Sequence, residues 1–505
     1  MHSENHKSPN NLTLRGRLGF LLQDSLLYGG ASAISKSMAL VTFPLLVRYF
    51  SAAEYGTLDF CLVLASVLCS LLVFGQDSAV ARYFYDYEEM DQRRQMITQS
   101  LMFQLLITAV LIPLLWMGSS WIAPPAADVA QGKRLFAIVL LQLPFLLLVN
   151  FSQNILKWTF SRKQFLTISL GGASTYAALI VAAIAVFRAD VEGVLLVTLA
   201  NTILFGLLGL FFIRRWLACP AGFSWPRIML PYAVPIGIIC VVGAAVPAME
   251  RAFVSRLLQP EDLGYYAAGS KIAILIAILV SAFQMAWAPF SLAIHKSTNP
   301  SETYNLVLKI FVSGICILVA MLDLIAPSLI TVLASERYLP AAAVVFPISM
   351  GLAIQAIGWI TELGIVIEKK SHLNLYSTGL FWLTALAAIG AFTPFLGLIG
   401  VAFGSLAAHL VKSGVSAWLA QRVHPMQWPY IPVIAILGWT VSVGMLAAVA
   451  GNTLGALYHA VVQVTSILVI LLISWCSLLN DAERLKTRAA ILRALNMEKR
   501  KRCAE

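Results

Sequence analysis

Charge is what this sequence has least of. Only 12% of its 505 residues are Asp, Glu, Lys or Arg, and 59% are hydrophobic. A soluble domain carries about 25% charged and about 45–50% apolar residues. The shortage excludes a soluble enzyme, and it turns the net charge of +11 from a nucleic-acid signal into a question of membrane topology. Cysteine is also sparse. Cys61, Cys69, Cys219, Cys240, Cys316, Cys476 and Cys503 show neither metal-ligand spacing nor a paired extracellular pattern, so they read as small packing residues. The seven histidines are scattered, and His2, His6, His295, His372 and His424 fall in loops or near a terminus. No GxxxxGK[ST] loop occurs, which leaves no ATP-binding motif of that kind. Long polar segments are missing too: all loops are short, and the longest outer one, near 119–134, is too short to fold alone. No cofactor, metal or nucleic acid is expected.

What is present is long apolar runs. A spanning helix needs about 20 mostly apolar residues, and fourteen stretches qualify, at roughly 22–47, 55–76, 96–118, 135–157, 165–187, 193–213, 229–255, 263–293, 307–334, 341–367, 375–395, 397–420, 429–450 and 455–478. The split of 375–420 rests on Pro394, Gly397 and Gly400; without it the count is twelve or thirteen. The opening segment, 1–21, is polar and basic with no cleavable-signal pattern, so the first helix is expected to be retained. Lys and Arg favour cytoplasmic loops. With the N-terminus inside, 25 of the 35 fall in inside segments, six in outside loops, and four (Lys36, Arg251, Lys271 and Lys412) within helices. Both termini are therefore expected in the cytoplasm, which requires an even number of spans. The tail, 479–505, places Leu485, Ala489, Leu492 and Leu495 on one stripe among basic residues. It suits a helix on anionic lipid or a basic topogenic tail.

The fold class expected is an all-α polytopic membrane protein of about fourteen helices. A weak internal repeat supports two lobes. Shifting "VRYFSAAEYGTLDF" (47–60) by 208 residues onto "SRLLQPEDLGYYAA" (255–268) sets Glu54 on Asp262, Gly56 on Gly264 and, further on, Gln76 on Gln284. Six helices separate the copies, so both halves share one orientation, as in parallel-repeat transporters. This gives an N-lobe at 22–213, a C-lobe at 229–420 and a terminal helix pair at 429–478.

Ionisable residues inside membrane helices usually face a bundle interior or a watery cavity. Ser25, Gly29, Ser32 and Lys36 share one face of the first helix, Gly264, Ala267 and Lys271 one face of the eighth, and Gly351, Gln355, Gly358 and Glu362 one face of the tenth. These strips point to a central cavity; the alternative for each is a buried pair, such as a lysine with Glu362 or Asp323. Glu250 and Arg251 are neighbours in the seventh helix. Side chains at i and i+1 point about 100° apart, so each is expected to need its own partner or water rather than form a simple mutual bridge. Pro235 and Pro247 lie in the same helix and mark it as a candidate gate.

The acidic–Arg pair, followed by "EDLGYYAAGSKIA" and "FQMAWAPF", resembles the polysaccharide-transporter family. So does the N-terminal "PLLVRYFSAAEYGTLDF…FGQDSAVARYF". That family includes the O-antigen and exopolysaccharide flippases of the multidrug/oligosaccharidyl-lipid/polysaccharide exporter superfamily. The resemblance covers roughly residues 22–295; Glu250 stands where Asp is more usual. It implies a flippase of the bacterial inner membrane that moves a lipid-linked oligosaccharide, on polyprenyl diphosphate, to the outer leaflet by alternating access. Other polysaccharide-assembly proteins and membrane lipids are its implied partners. Lys36, Arg251 and Lys271, with Glu250 and Gln355, are then candidate cavity residues, the cations opposing phosphate. Tyr265, Tyr266 and Trp287 are candidates for stacking on sugar or for anchoring at the interface. Asp59, Glu250, Asp323 and Glu362 are candidate ion-coupling sites. Two alternatives stay open: a drug antiporter of the same superfamily, and a membrane-embedded polymerase or glycosyltransferase.

Overall fold

An apolar chain in lipid must satisfy its backbone within each segment, which leaves helices as its regular structure. The structure is a computed structural model that describes residues 30–478 apart from 32, 33, 36, 39, 88, 127, 296–299, 369, 371 and 455. Every regular element among the described residues is helical. In chain order these are α1 (Leu40–Tyr49), α2 (Ala52–Val73), α3 (Gln76–Asp86), α4 (Met90–Met117), α5 (Ser119–Ile122) and α6 (Val129–Trp158). There follow α7 (Arg162–Leu166), α8 (Gly172–Ala185), α9 (Val191–Ile213), α10 (Ser224–Leu257), α11 (Pro260–Ile294) and α12 (Pro300–Leu333). The remainder are α13 (Ala342–Thr361), α14 (Leu363–Ile367), α15 (Leu373–Leu396), α16 (Leu398–Val423), α17 (Tyr430–Leu454) and α18 (Ala456–Ile473).

Thirteen helices among the described residues are long and apolar enough to cross a membrane. They correspond one for one to the second through fourteenth expected spans. The first expected span and the basic tail lie partly or wholly outside the described residues. Several helices begin a turn or more earlier than hydropathy placed them, because polar first turns such as Met90–Gln95 and Pro300–Asn305 are helical. The break near 397 is real. Pro394 stays inside α15, and the chain turns at Gly397 with φ +57°, a left-handed value that favours glycine.

The chain forms two compact units, Met1–Lys271 with Thr331–Tyr338, and Ile272–Ile330 with Leu339–Glu505. In the first, α2 packs against α6 and α10, and α6 against α9. In the second, α16 packs between α13 and α15, and α17 pairs with α18.

The 208-residue repeat is realised as matching chemistry. Ser51 caps α2 in a capping box: its N–H donates to Glu54 Oε2 at 2.9 Å, and its Oγ accepts from the Glu54 N–H at 3.3 Å. At the head of α11 the Gln259 N–H donates to Asp262 Oδ2 at 3.1 Å. Each carboxylate holds the donor three residues before it. The paired glycines then meet each other. A Cβ on Gly56 would lie 2.5 Å from the Gly264 nitrogen, and one on Gly264 would lie 1.9 Å from the Ala52 carbonyl oxygen. Gln76 and Gln284 do not share this likeness, the first being buried and the second exposed.

At the other end of α2 the chain turns at Gly75, with φ +71°. There α10 passes so close that a Cβ would lie 2.4 Å from the Ala233 carbonyl oxygen. Small residues let helix backbones approach where lipid supplies no hydrophobic drive.

Gly264→Ala is expected to destabilise the protein by about 1–3 kcal/mol through overpacking. Gly243→Ala, at a helical site with nothing within 4 Å of the new methyl, should be neutral or slightly stabilising. Thermal unfolding of the two variants in detergent checks the contrast; equal melting temperatures would contradict the crossing described.

Candidate functional site

Asp59 lies in the second turn of α2 and is 1% exposed. A carboxylate taken out of water needs close compensation. Arg251 of α10 supplies it, with Nε donating to Asp59 Oδ2 at 2.9 Å, and Lys271 of α11 supplies more, with Nζ 3.2 Å from Oδ1. The Arg251 Nη1 lies 3.6 Å from Glu250 Oε2 and also donates to the Pro247 carbonyl at 3.3 Å. The guanidinium sits 5.4 Å from the Tyr266 ring centre, within cation–π range. Two carboxylates and two cations thus balance within one unit. Lys271, with 27% of its side chain exposed, is the least buried of the four.

Arg251 thus has a partner of its own in Asp59, as expected, and the longer contact with adjacent Glu250 is added to it. The arginine is long enough to reach back to its neighbour while its shorter contact goes to Asp59. Beyond this cluster Tyr338 packs edge-on against both Tyr55 and Tyr265, with ring centres 6.3 and 6.0 Å apart. Arg48 donates to the Val332 carbonyl, so the 331–338 segment is fastened to the first unit by its backbone as well as its rings.

Farther along α2 a cavity of about 460 Å³ opens beside α6. Its polar lining is Ser66 and Ser70 of α2, Asp77 of α3, and Gln142, Asn150 and Asn154 of α6. Asp77 Oδ1 accepts from the Ser78 N–H at 2.7 Å, and Asn150 Nδ2 donates to the Leu146 carbonyl at 2.9 Å. Buried Gln142 donates to Thr202 Oγ1 at 3.1 Å, while its Oε1 has no hydrogen-bond partner. Sequence reasoning missed this cavity. The signal was there: Gln142, Asn150 and Asn154 share one face of α6, eight and four residues apart.

The remaining candidates are placed as follows. Lys36 lies outside the described residues. Gln355 is half-buried on α13. Asp323 of α12 accepts from Gln463 and lies 3.1 Å from His459 Nε2, both of α18, so it ties the terminal pair to the second unit. Glu362 caps the end of α13 with Lys412 of α16 as its charged neighbour. Pro235 and Pro247, with Pro231, sit within the continuous α10. Tyr266 is fully buried under Arg251, and Trp287 packs on Phe283 and Tyr304 and donates to the Trp359 carbonyl at 3.3 Å. Among the described residues no three His, Cys, Asp or Glu converge to hold a metal ion.

Removing one partner of a buried ion pair costs about 3–5 kcal/mol because it strands the other charge. Asp59→Asn strands two cations and should destabilise most. Arg251→Met should follow, and Lys271→Met, at a partly exposed position, should cost least. Melting temperatures in detergent check the order; Lys271→Met as harmful as Asp59→Asn would contradict it.

Comparison with known proteins places this arrangement. The chain is 21% identical over 281 residues to "Lsg locus putative protein 1" of Haemophilus influenzae, covering 54% of this chain and 65% of that one. The match thus spans just under two thirds of that relative's length. Among solved structures, one titled "Lipid II flippase MurJ, inward closed conformation" has a TM-score of 0.70 at 16% identity, covering 89% of this chain and 98% of that one. An inward-facing multidrug resistance MATE family transporter of the MOP superfamily has a TM-score of 0.61 at 15% identity, covering 79% and 94%. These likenesses establish the fold. The model of the family described as "Polysaccharide biosynthesis protein" matches residues 21–295, more than half of the sequence, and the chain belongs to that family.

Proposed function

We propose that this protein is a flippase of the bacterial inner membrane. It moves a lipid-linked oligosaccharide, carried on polyprenyl diphosphate, from the inner to the outer leaflet for cell-surface polysaccharide assembly. The observation that carries this reading is membership of a polysaccharide biosynthesis family on a fold shared with a structure titled as a lipid II flippase. Transport proceeds by alternating access, and both termini lie in the cytoplasm. The protein is a carrier, not an enzyme.

The chemistry of the first unit suits such a cargo. A diphosphate needs a cation that it can reach, and Lys271 combines an ion pair with the least burial of the cluster's charges. Arg251, buried against Asp59, acts by holding that lysine's carboxylate in place. Lys36 is a second candidate for phosphate. The energy source is an ion gradient, the membrane potential or removal of product, with Asp59, Glu250, Asp323 and Glu362 as the candidate coupling groups.

The likeness to the multidrug transporter favours a second reading, export of small cations. That reading predicts drug sensitivity on deletion with normal surface glycan.

In a deletion strain the flippase reading predicts that the lipid-linked glycan is made but stays on the inner leaflet, where an impermeant sugar-labelling reagent applied from outside does not reach it. Lys271→Gln should reduce export several-fold at unchanged protein level. Glycan labelled normally from outside in the deletion strain would overturn the assignment. Loss of the glycan intermediate itself would point back to an enzyme.

A further inference from the structure

The cavity beside α2 and α6 is lined differently from the charge cluster above it. Among its described lining residues Asp77 is the one that carries a charge. A phosphate would meet that carboxylate there. The volume, about 460 Å³, lies in the range of small-molecule pockets, about 300–1,000 Å³, and is too large for a bare ion. The polar groups are amides and hydroxyls with one carboxylate: Gln142, Asn150, Asn154, Ser66, Ser70 and Asp77. Amides both donate and accept, hydroxyls do both from one atom, and a carboxylate accepts twice. That mixture matches a ligand made of neutral hydroxyl groups. The apolar remainder, from Leu62, Leu146 and Val73, suits the C–H faces of a sugar ring.

A further observation places the cavity. It shares a stripe of α2 with the charge cluster. Asp59, Leu62, Ser66 and Val73 fall on one side of the helix, spaced by three, four and seven residues. Asp59 and Ser66 are separated by about 10 Å along the axis at 1.5 Å per residue. A headgroup whose phosphates meet Lys271 has its sugars within reach of Ser66.

We propose that this cavity is the saccharide subsite, in which Asn154, Ser66 and Asp77 hydrogen-bond the hydroxyls of the cargo's sugar. The inference rests on the flippase reading and deepens it. Recognition divides between a cationic part that reads phosphate and an amide- and hydroxyl-lined part that reads sugar, so the two can be weakened separately.

The test is native mass spectrometry of the purified full-length protein with three probes: a polyprenyl-diphosphate disaccharide, sugar-free polyprenyl diphosphate and the free disaccharide. The wild type should retain the saccharide lipid more tightly than the sugar-free lipid. Asn154→Leu removes an amide, and Ser66→Leu fills the cavity from an exposed position. Each should weaken retention of the saccharide lipid about tenfold, the loss expected for about one good hydrogen bond, and leave the sugar-free lipid unaffected. Two variants guard against one that misfolds. If the wild type retains both lipids and the variants leave the preference unchanged, or weaken both lipids equally, the subsite is overturned while the flippase reading survives. If the wild type retains neither lipid, the flippase reading falls and the subsite with it. Free disaccharide retained as well as the lipid-linked form would overturn the lipid-linked source.

Discussion

Everything in the first unit that could bear on transport is arranged around one buried carboxylate. Asp59 is held between Arg251 and Lys271, so α2 meets the consecutive helices α10 and α11 at one side chain, Arg251 lying 192 residues further along the sequence. The energetics are one-sided. A complete buried ion group contributes little net stability against an apolar core, but an incomplete one is strongly unfavourable. Such a group specifies which helices meet more than it strengthens their meeting. Neighbouring packing enforces the same choice: Gly56 and Gly264 leave no room for a side chain between α2 and α11, and Gly75 leaves none between the α2–α3 turn and α10. Charge and close approach act together.

This arrangement explains how one helix serves two kinds of chemistry. Along a single stripe, α2 presents first a carboxylate fully engaged by cations and then serines that open onto an amide-lined cavity. The charged part is closely packed, with Lys271 its least buried member; the amide-lined part is roomy. A large polar headgroup on a lipid tail needs both features within its own length. Family membership and fold supply the class of protein, while this juxtaposition supplies a physical reason for the cargo proposed.

Much of this was legible in the sequence. Thirteen helices follow directly from apolar length, since lipid allows the backbone few other solutions. The repeat was legible through Glu54 and Asp262, which cap their helices alike. Gly56 and Gly264 could be matched in sequence, but that they touch is a fact of packing that no alignment of two stretches contains. Asp59, Glu250, Arg251 and Lys271 each stood out as costly in hydrocarbon, yet their union was not readable, because helical periodicity gives a residue's face and not which neighbour that face meets. For the same reason Asp323 could not be assigned to His459 and Gln463 of α18. The amide cavity escaped because asparagine and glutamine carry no charge and stand out less in a hydropathy reading than lysine does, although their shared face of α6 was visible.

The most direct measurement is lipid movement by the protein alone. Purified protein is reconstituted into liposomes bearing a trace of fluorescent polyprenyl-diphosphate disaccharide, and an impermeant quencher is added. The account predicts that the quencher reaches lipid from both leaflets in vesicles with protein and only the outer-leaflet share in empty vesicles. Identical quenching in the two, with the protein shown to be folded, would contradict it.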